Sequence, residues 1–539
     1  MSLVPFLVVA GLGAVALVLV RGSARTVAIG GGAGLIAALV AAVLIVPGQA
    51  VVIEQSGFAT TEYLRLFLIL GVVVGTCLVI VGAAGGTQRE APAVTLGILA
   101  TSALALALPD ARLAFLAATA GGAFAVVAAA GMGGGRRSAT AGVRVLRASV
   151  IAGTMAIAAS AWIGRDLSEL AAQPTVFGLA YLAVALAVAL RLGAIPFHNW
   201  AARLTDAVAE PSLPLVTAWA AGAFAIAALA WTDASIAPLL VDLAAMRIVI
   251  LAIAIASITL ASIAAWIQDD IEHVVGYSIV GDAGVIMLAV AALDPDAWAP
   301  ARTWILAFVV SRSAFAAWAA ATRLSFGTGR ISELRGWAVR SPLLGVAFAA
   351  VVLASIGLPG LAAFDARGKL IDLALGGPLG AVVLVAALTP LAYYGRLAAV
   401  GLTRAGSTPG DGPWRPVVGS IDLTHVWSWA ATTWSTNRAF IASATATLLA
   451  VLAVATMAGA FGVKEAAAGL APTVEGAIES FTPIASGSPE PVASPSAEPS
   501  PSVAASPAIE ASPSFEASPT LDASTSPEAS PSVGASPTP

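Results

Sequence analysis

Four apolar runs of this sequence contain charge, and the residue types are those that move protons or steer ions. "LRLGAIPFHNW" (190–200) carries Arg191 deep in its run, followed at once by Gly193, Pro196 and His198. "QDDIEHVVGYSIVGDAGVIML" (268–288) opens near Glu272 and His273 and places Asp282 well inside. "SIGLPGLAAFDARGKLIDL" (355–373) is interrupted at Gly357, Pro359 and Gly360 and continues with Asp365, Arg367 and Lys369. "VVSRSAF" adds Arg312. An ionisable side chain in hydrocarbon costs several kcal/mol, so each of these is a functional candidate. Neighbouring Gly and Pro weaken the helical hydrogen-bond ladder, and the carbonyls so freed can hold water or ions. His titrates near neutrality and a buried Asp or Lys can be shifted into that range, whereas a guanidinium keeps its proton. His198, Asp282 and Lys369 are therefore candidate proton carriers. Arg191, Arg312 and Arg367 are left with setting the field and pairing carboxylates such as Asp282 or Asp365. Taken alone, Arg191 fits equally well as an arginine snorkelling to the interface from near its helix end. Glu272 and His273 fit equally well in a solvated loop.

The elements that must position these groups are membrane-crossing helices. The 539-residue chain is 59% hydrophobic and 10% charged, with mean hydropathy +0.92, far from the roughly quarter-charged soluble average. Apolar runs of about 20 residues recur, the length a helix needs to cross about 30 Å of hydrocarbon. Stretches such as 27–46 and 248–267 are apolar on every face, which the alternating strands of a β-barrel exclude. The fold class expected is all-α, a polytopic membrane bundle of about 14 transmembrane helices. The spans are 3–20, 27–47, 64–84, 91–108, 112–131, 147–164, 175–198, 213–231, 246–267, 271–293, 302–322, 342–364, 377–399 and 440–461. Two of them, near 190–200 and 356–369, are expected to be discontinuous and to face each other across the bundle interior. The first span has no basic residue ahead of it and reads as a retained helix rather than a signal peptide.

Sixteen arginines fall in odd-numbered loops, counted by the helix they follow, and five in even loops or their edges. Cytoplasmic loops are the basic ones, so both termini are expected outside the cytoplasm. The net charge of −4 gives nucleic-acid binding no support. A single cysteine, Cys77, excludes disulfide frameworks and cysteine-held clusters, and three histidines make a histidine-rich metal site a poor fit. From about residue 472 the chain turns to Pro, Ser, Ala and Glu, a composition expected to stay disordered and to be dispensable for assembly.

At the charged runs the sequence resembles the antiporter-like, proton-translocating membrane subunits of respiratory complex I, NADH-quinone oxidoreductase, most closely the subunit N type. "LGAIPFHNW", with Pro211 and Pro214 after it, is similar to a signature in which an intramembrane Lys precedes Pro-Phe-His-x-Trp. "QDDIEHVVGYS" resembles a Gln-x-x-x-Lys-Arg-x-x-Ala-Tyr-Ser element, and "SIGLPGLAAF" the Ser-x-x-Gly-x-Pro-x-x-x-x-Phe turn before a second broken helix. The resemblance covers roughly residues 60–400 and implies an inverted-repeat antiporter-like fold. It implies proton movement along a central row of Lys, Glu and His, driven by quinone reduction in neighbouring subunits. NADH and quinone would be used elsewhere in the complex, with no cofactor bound by this chain. Partners would be other membrane subunits of a respiratory complex and the lipid bilayer, in the cell inner (plasma) membrane.

Position by position the match is incomplete. The family's fifth-helix glutamate falls at Thr119, its central lysine at Arg191, its Lys-Arg pair at Glu272 and His273, and its tenth-helix histidine at Asp282. No charge occupies 213–231, and the second broken helix offers Arg367 or Lys369. A subunit of a cation/proton antiporter or membrane-bound hydrogenase, and a diverged non-pumping structural homologue, therefore stand as alternatives. The expected organisation is N-terminal helices (1–60), a translocation core (61–405), a cytoplasmic loop with the final helix (406–465), and a tail (466–539).

Overall fold

With almost no water-loving side chains to spare, each apolar segment must satisfy its own backbone hydrogen bonds, and helices result. The computed structural model of the protein describes residues 1–19, 24–53, 56–86, 89–131, 135–163, 174–236, 243–403 and 426–469. In chain order these form α1 (Val4–Leu19), α2 (Ala24–Val43), α3 (Glu62–Gly85), α4 (Ala91–Ala107), α5 (Ala111–Ala120), α6 (Phe124–Gly131), α7 (Gly135–Trp162) and α8 (Pro174–Leu192). They continue with α9 (Asn199–Thr205), α10 (Ala220–Ser235), α11 (Ala244–Ile267), α12 (Ile271–Ala292), α13 (Trp298–Phe326) and α14 (Pro342–Ile356). The last are α15 (Ala362–Ala374), α16 (Gly377–Ala386), α17 (Pro390–Leu402), α18 (Val426–Met457) and α19 (Val463–Ala468). Eleven helical stretches among the described residues are long and apolar enough to cross a membrane. The shorter apolar helices α1, α4 and α14 have 16, 17 and 15 residues, or about 23 to 26 Å at 1.5 Å per residue, short of about 30 Å of hydrocarbon. The tail from 472 lies outside the described residues.

One element departs from helix. Residues Ala50–Ile53 and Ser56–Ala59 pair as a two-stranded antiparallel hairpin in the connection between α2 and α3. The β-branched Val51, Val52 and Ile53 favour a strand, and the segment is too short to span. Helix α7 begins at Gly135, well ahead of the apolar run, because the polar stretch from Arg136 to Arg147 continues the helix beyond the run's edge. Helix α5 is capped by Asp110, whose carboxylate accepts from the backbone N–H groups of Arg112 and Leu113. The hydrogen bond from the Arg112 side chain holds that carboxyl below its usual range.

Depth of burial ranks the helices. The stretches 210–235 and 295–326 are 94% buried and α12 is 83% buried, whereas α11 is 44% and 377–402 only 28%. The centre of the bundle is therefore α10, α12 and α13, the elements that carry Asp282 and Arg312. Helices α11 and α12 approach so closely at Gly284 that an added Cβ would lie 2.6 Å from the Ala254 carbonyl oxygen and 2.9 Å from the Ile258 nitrogen. Backbone cannot step aside as a side chain can. Gly284→Ala is expected to cost about 1–3 kcal/mol and to lower the thermal midpoint of the detergent-solubilised protein. Gly368→Ala, where nothing lies within 4 Å, is expected to leave that midpoint unchanged or raise it.

Where the last long helix ends, α19 is held by a buried arginine. Arg302 donates to the carbonyls of Ala467 and Gly469 and lies over the rings of Tyr63 and Trp298, 4.0 and 4.8 Å from their centroids. Trp298 donates to the same Gly469 carbonyl at 3.2 Å.

Candidate functional site

Asp282 sits midway along α12 between Gly281 and Gly284, where α13 can come close. Arg312 of α13 donates from Nε to Asp282 Oδ2 at 2.5 Å, and from Nη1 to the hydroxyl of Tyr394 on α17 at 2.8 Å. The two charged side chains are 1% and 12% exposed. Removing either partner of such a pair would strand a buried charge, a far larger cost than the net worth of the pair itself. Tyr394 escaped the sequence reading, since a tyrosine in an apolar run reads as core; its only local signal is the neighbouring Tyr393 and Pro390.

Arg367 lies one helix away, on α15, and is held by helix ends rather than by a carboxylate. Helix α14 stops at Ile356, Gly357 follows with φ +70°, and α15 starts at Ala362. Arg367 Nη2 donates to the Ile356 carbonyl at 2.9 Å. Its Nη1 reaches the carbonyl of Ala387 at 3.5 Å, where α16 ends ahead of Pro390. Pro390 has no N–H to continue the ladder, so Leu391 donates to Leu388 instead and the Ala387 carbonyl is free for Arg367. Carbonyls at helix C-termini carry partial negative charge, which suits a fixed cation.

Arg191 ends α8 and is 1% exposed. Gly193, φ +67°, closes that helix, and the chain resumes helix at Asn199. In the gap Ile195 donates to Ser257 at 2.9 Å, and Trp200 returns its indole N–H to the Leu190 carbonyl at 3.0 Å. Among the described residues the guanidinium reaches a single acceptor, the Val216 carbonyl at 3.4 Å, and Nε and Nη2 are buried without a partner. Val216 belongs to a π-helical turn, Leu215–Trp219, entered from Pro214. A snorkelling arginine would reach water; this one stays in the bundle.

The remaining candidates lie elsewhere. Glu272 pairs with Arg323, which also contacts Glu210 at 3.0 Å, and His273 faces Asp206 at 3.1 Å. These form a charged cluster where α9, α12 and α13 meet one membrane face. His198 is half-buried with Nδ1 unpartnered, its ring 6.4 Å from that of Tyr277. Asp365 and Lys369 are both exposed on α15, and Asp365 is 3.8 Å from Lys464 of α19. Thr119, at the end of α5 where Gly121–Ala123 tightens the turn, donates to the Phe115 carbonyl at 2.6 Å. Helices α8 and α9, which flank the gap at 193–198, and α15, which follows the gap at 357–361, all pack on α12.

Residues 148–390 match the family described as NADH:quinone oxidoreductase/Mrp antiporter, transmembrane. The match covers just under half of the chain. The matched stretch holds Arg191, Asp282, Arg312 and Arg367, and ends on Pro390, the first residue of α17. A curated relative, NADH-quinone oxidoreductase subunit N 1 of Streptomyces griseus, is 30% identical over 219 residues, 40% of this chain and 45% of the relative. The chain therefore spans about half the length of the curated relatives it matches. Among solved structures, respiratory complex I from Thermus thermophilus with bound NADH aligns at TM-score 0.63 and 18% identity, over 86% of this chain and 98% of that one. The Mrp complex from Dietzia sp. aligns at TM-score 0.62 and 19% identity, over 86% and 94%. The antiporter-like membrane fold thus extends well beyond the matched stretch, and both structural neighbours are chains of multisubunit complexes.

Proposed function

We propose that this chain is a proton-translocating membrane subunit of a NADH-quinone oxidoreductase-like complex in the cell inner (plasma) membrane, with both termini outside the cytoplasm. The observation that carries this reading is the Asp282–Arg312–Tyr394 group, buried in the most enclosed part of the bundle next to two helix interruptions. A proton arriving on Asp282 removes the charge that holds Arg312, leaving that guanidinium with Tyr394 alone. The element is therefore bistable, and proton occupancy at Asp282 and the position of Arg312 move together. His198, at the first gap, supplies a second titratable group. Lys369, exposed on α15, stands at the edge of this path. Asp365, beside it, and the Glu272, His273 and Arg323 cluster would tune entry. The electron chemistry of NADH and quinone belongs to partner subunits, and this chain holds no cofactor in the proposal.

A tagged chain extracted in mild detergent is expected to bring down quinone-reducing subunits, and vesicles made from that complex are expected to take up protons as quinone is reduced. Association with cation-transport subunits alone, with proton uptake exchanged for sodium, would favour the antiporter reading. The hydroxyl of Thr119 in place of a carboxylate and the absence of charge over 213–231 favour a non-pumping homologue, which a complex that forms but takes up no protons would establish.

A further inference from the structure

Ser355, Trp304 and Arg367 line one small, partly open cavity bordered by α11, α12, α13, α14, α15 and α17, together with Asp282 and Tyr393. Three polar atoms of that lining have no partner among the described residues: Arg367 Nε, Trp304 Nε1 and Ser355 Oγ. Their residues are 3%, 3% and 5% exposed. A guanidinium N–H and an indole N–H can donate and never accept, and the serine hydroxyl is able to donate as well. Three unpartnered donors on residues that line one cavity call for an acceptor. The cavity leaves about 20 Å³ open to the centres of water-sized molecules, room for about one water or one small ion and far too little for an organic ligand.

Charge decides what kind of acceptor fits. Arg312 is engaged by Asp282, so one positive and one negative charge offset each other. Arg367 meets two carbonyls and the faces of Trp304 and Phe364, at 5.8 and 5.3 Å, but no carboxylate of its own. The helix-end dipoles offset part of that charge at the Nη atoms, while Nε has no acceptor among the described residues. A neutral water would answer the three donors and leave the remaining charge uncompensated in a low-dielectric interior. We propose that the cavity bounded by Arg367, Trp304 and Ser355 is a binding site for one small monovalent anion of the halide class. Its occupant is held by Arg367 Nε, Trp304 Nε1 and Ser355 Oγ, and it tunes the field felt by Asp282. Binding does not depend on whether the chain moves protons, so failure of one reading leaves the other standing.

The test is equilibrium dialysis of the purified protein, with whatever subunits accompany it, from halide-free gluconate buffer against radiolabelled chloride. Saturable binding of one chloride per chain, displaced by bromide, is expected. Trp304→Phe keeps the ring and removes the N–H, and Ser355→Ala removes the hydroxyl; each is expected to weaken binding about ten-fold, the effect of losing one hydrogen bond to a charged group. Arg367→Gln is expected to abolish it, and because that variant risks misfolding, the two milder ones carry the decision. Absence of saturable chloride binding in the unsubstituted protein overturns the proposal. So does binding unchanged in both Trp304→Phe and Ser355→Ala, which would place the ion elsewhere, or cavity density identical in halide-free and bromide-containing samples, which would identify water.

Discussion

Asp282→Asn is expected to lower proton uptake per quinone reduced, in reconstituted vesicles, by at least about ten-fold, as loss of a positioned proton carrier does. The same change strands Arg312, which is 1% exposed and keeps only Tyr394 as a polar partner. An uncompensated buried charge costs about 3–5 kcal/mol, so loss of fold could be mistaken for loss of transport. A second variant separates the two. In Asp282→Asn combined with Arg312→Gln no charge is left at this position, and two neutral amides can still bond to each other and to Tyr394. Thermal stability is expected to return close to that of the unsubstituted protein while proton uptake stays low. If uptake returns along with stability, Asp282 is a counter-ion to Arg312 and the relay lies elsewhere.

The helical character and the charged spans were legible because apolar runs and buried charge are local properties of the chain. So were the gaps at 193–198 and 357–361, each marked by Gly and Pro together. The gap at Ala387–Thr389 and the π turn at Leu215–Trp219 were not: a lone Pro390 without a glycine beside it left 377–399 reading as one span, and Pro214 at the head of 213–231 fits an ordinary helix start. What makes them functional is an arginine from another helix taking the freed carbonyl, and that is tertiary information. The partnership of Asp282 and Arg312, 30 residues apart, likewise depends on how α12 meets α13. Trp304 and Ser355 read as core until their polar atoms are seen without partners. On α15 the spacing itself held more than was drawn from it. Residues two apart on a helix point about 200° apart, while residues four apart share a face. Arg367 facing inward therefore turns both Asp365 and Lys369 outward, as found.

Arg191→Met is expected to raise the thermal midpoint of the protein and at the same time to lower proton uptake about ten-fold or more, a combination no structural role produces. The guanidinium is 1% exposed and has one long hydrogen bond, to Val216 at 3.4 Å, with two nitrogen groups unpartnered. A charge in that setting opposes folding, and replacing it with an apolar side chain of similar length removes the desolvation cost and fills the same space. Retention of a destabilising charge is explained only if the charge acts on something that moves. If the chain moves protons as proposed, a fixed cation beside the gap at 193–198 would raise the energy of a proton passing on that side. Arg191→Lys keeps the charge in its ordinary state and adds a group that can lose its proton when desolvated, so uptake is expected to be preserved or improved. The measurements are thermal unfolding in detergent and proton uptake in vesicles, on the same preparations. If Arg191→Met is more stable and pumps as well as the unsubstituted protein, Arg191 has no part in transport; if it is less stable, the arginine is holding the π turn at Leu215–Trp219 in place, and its role is architectural.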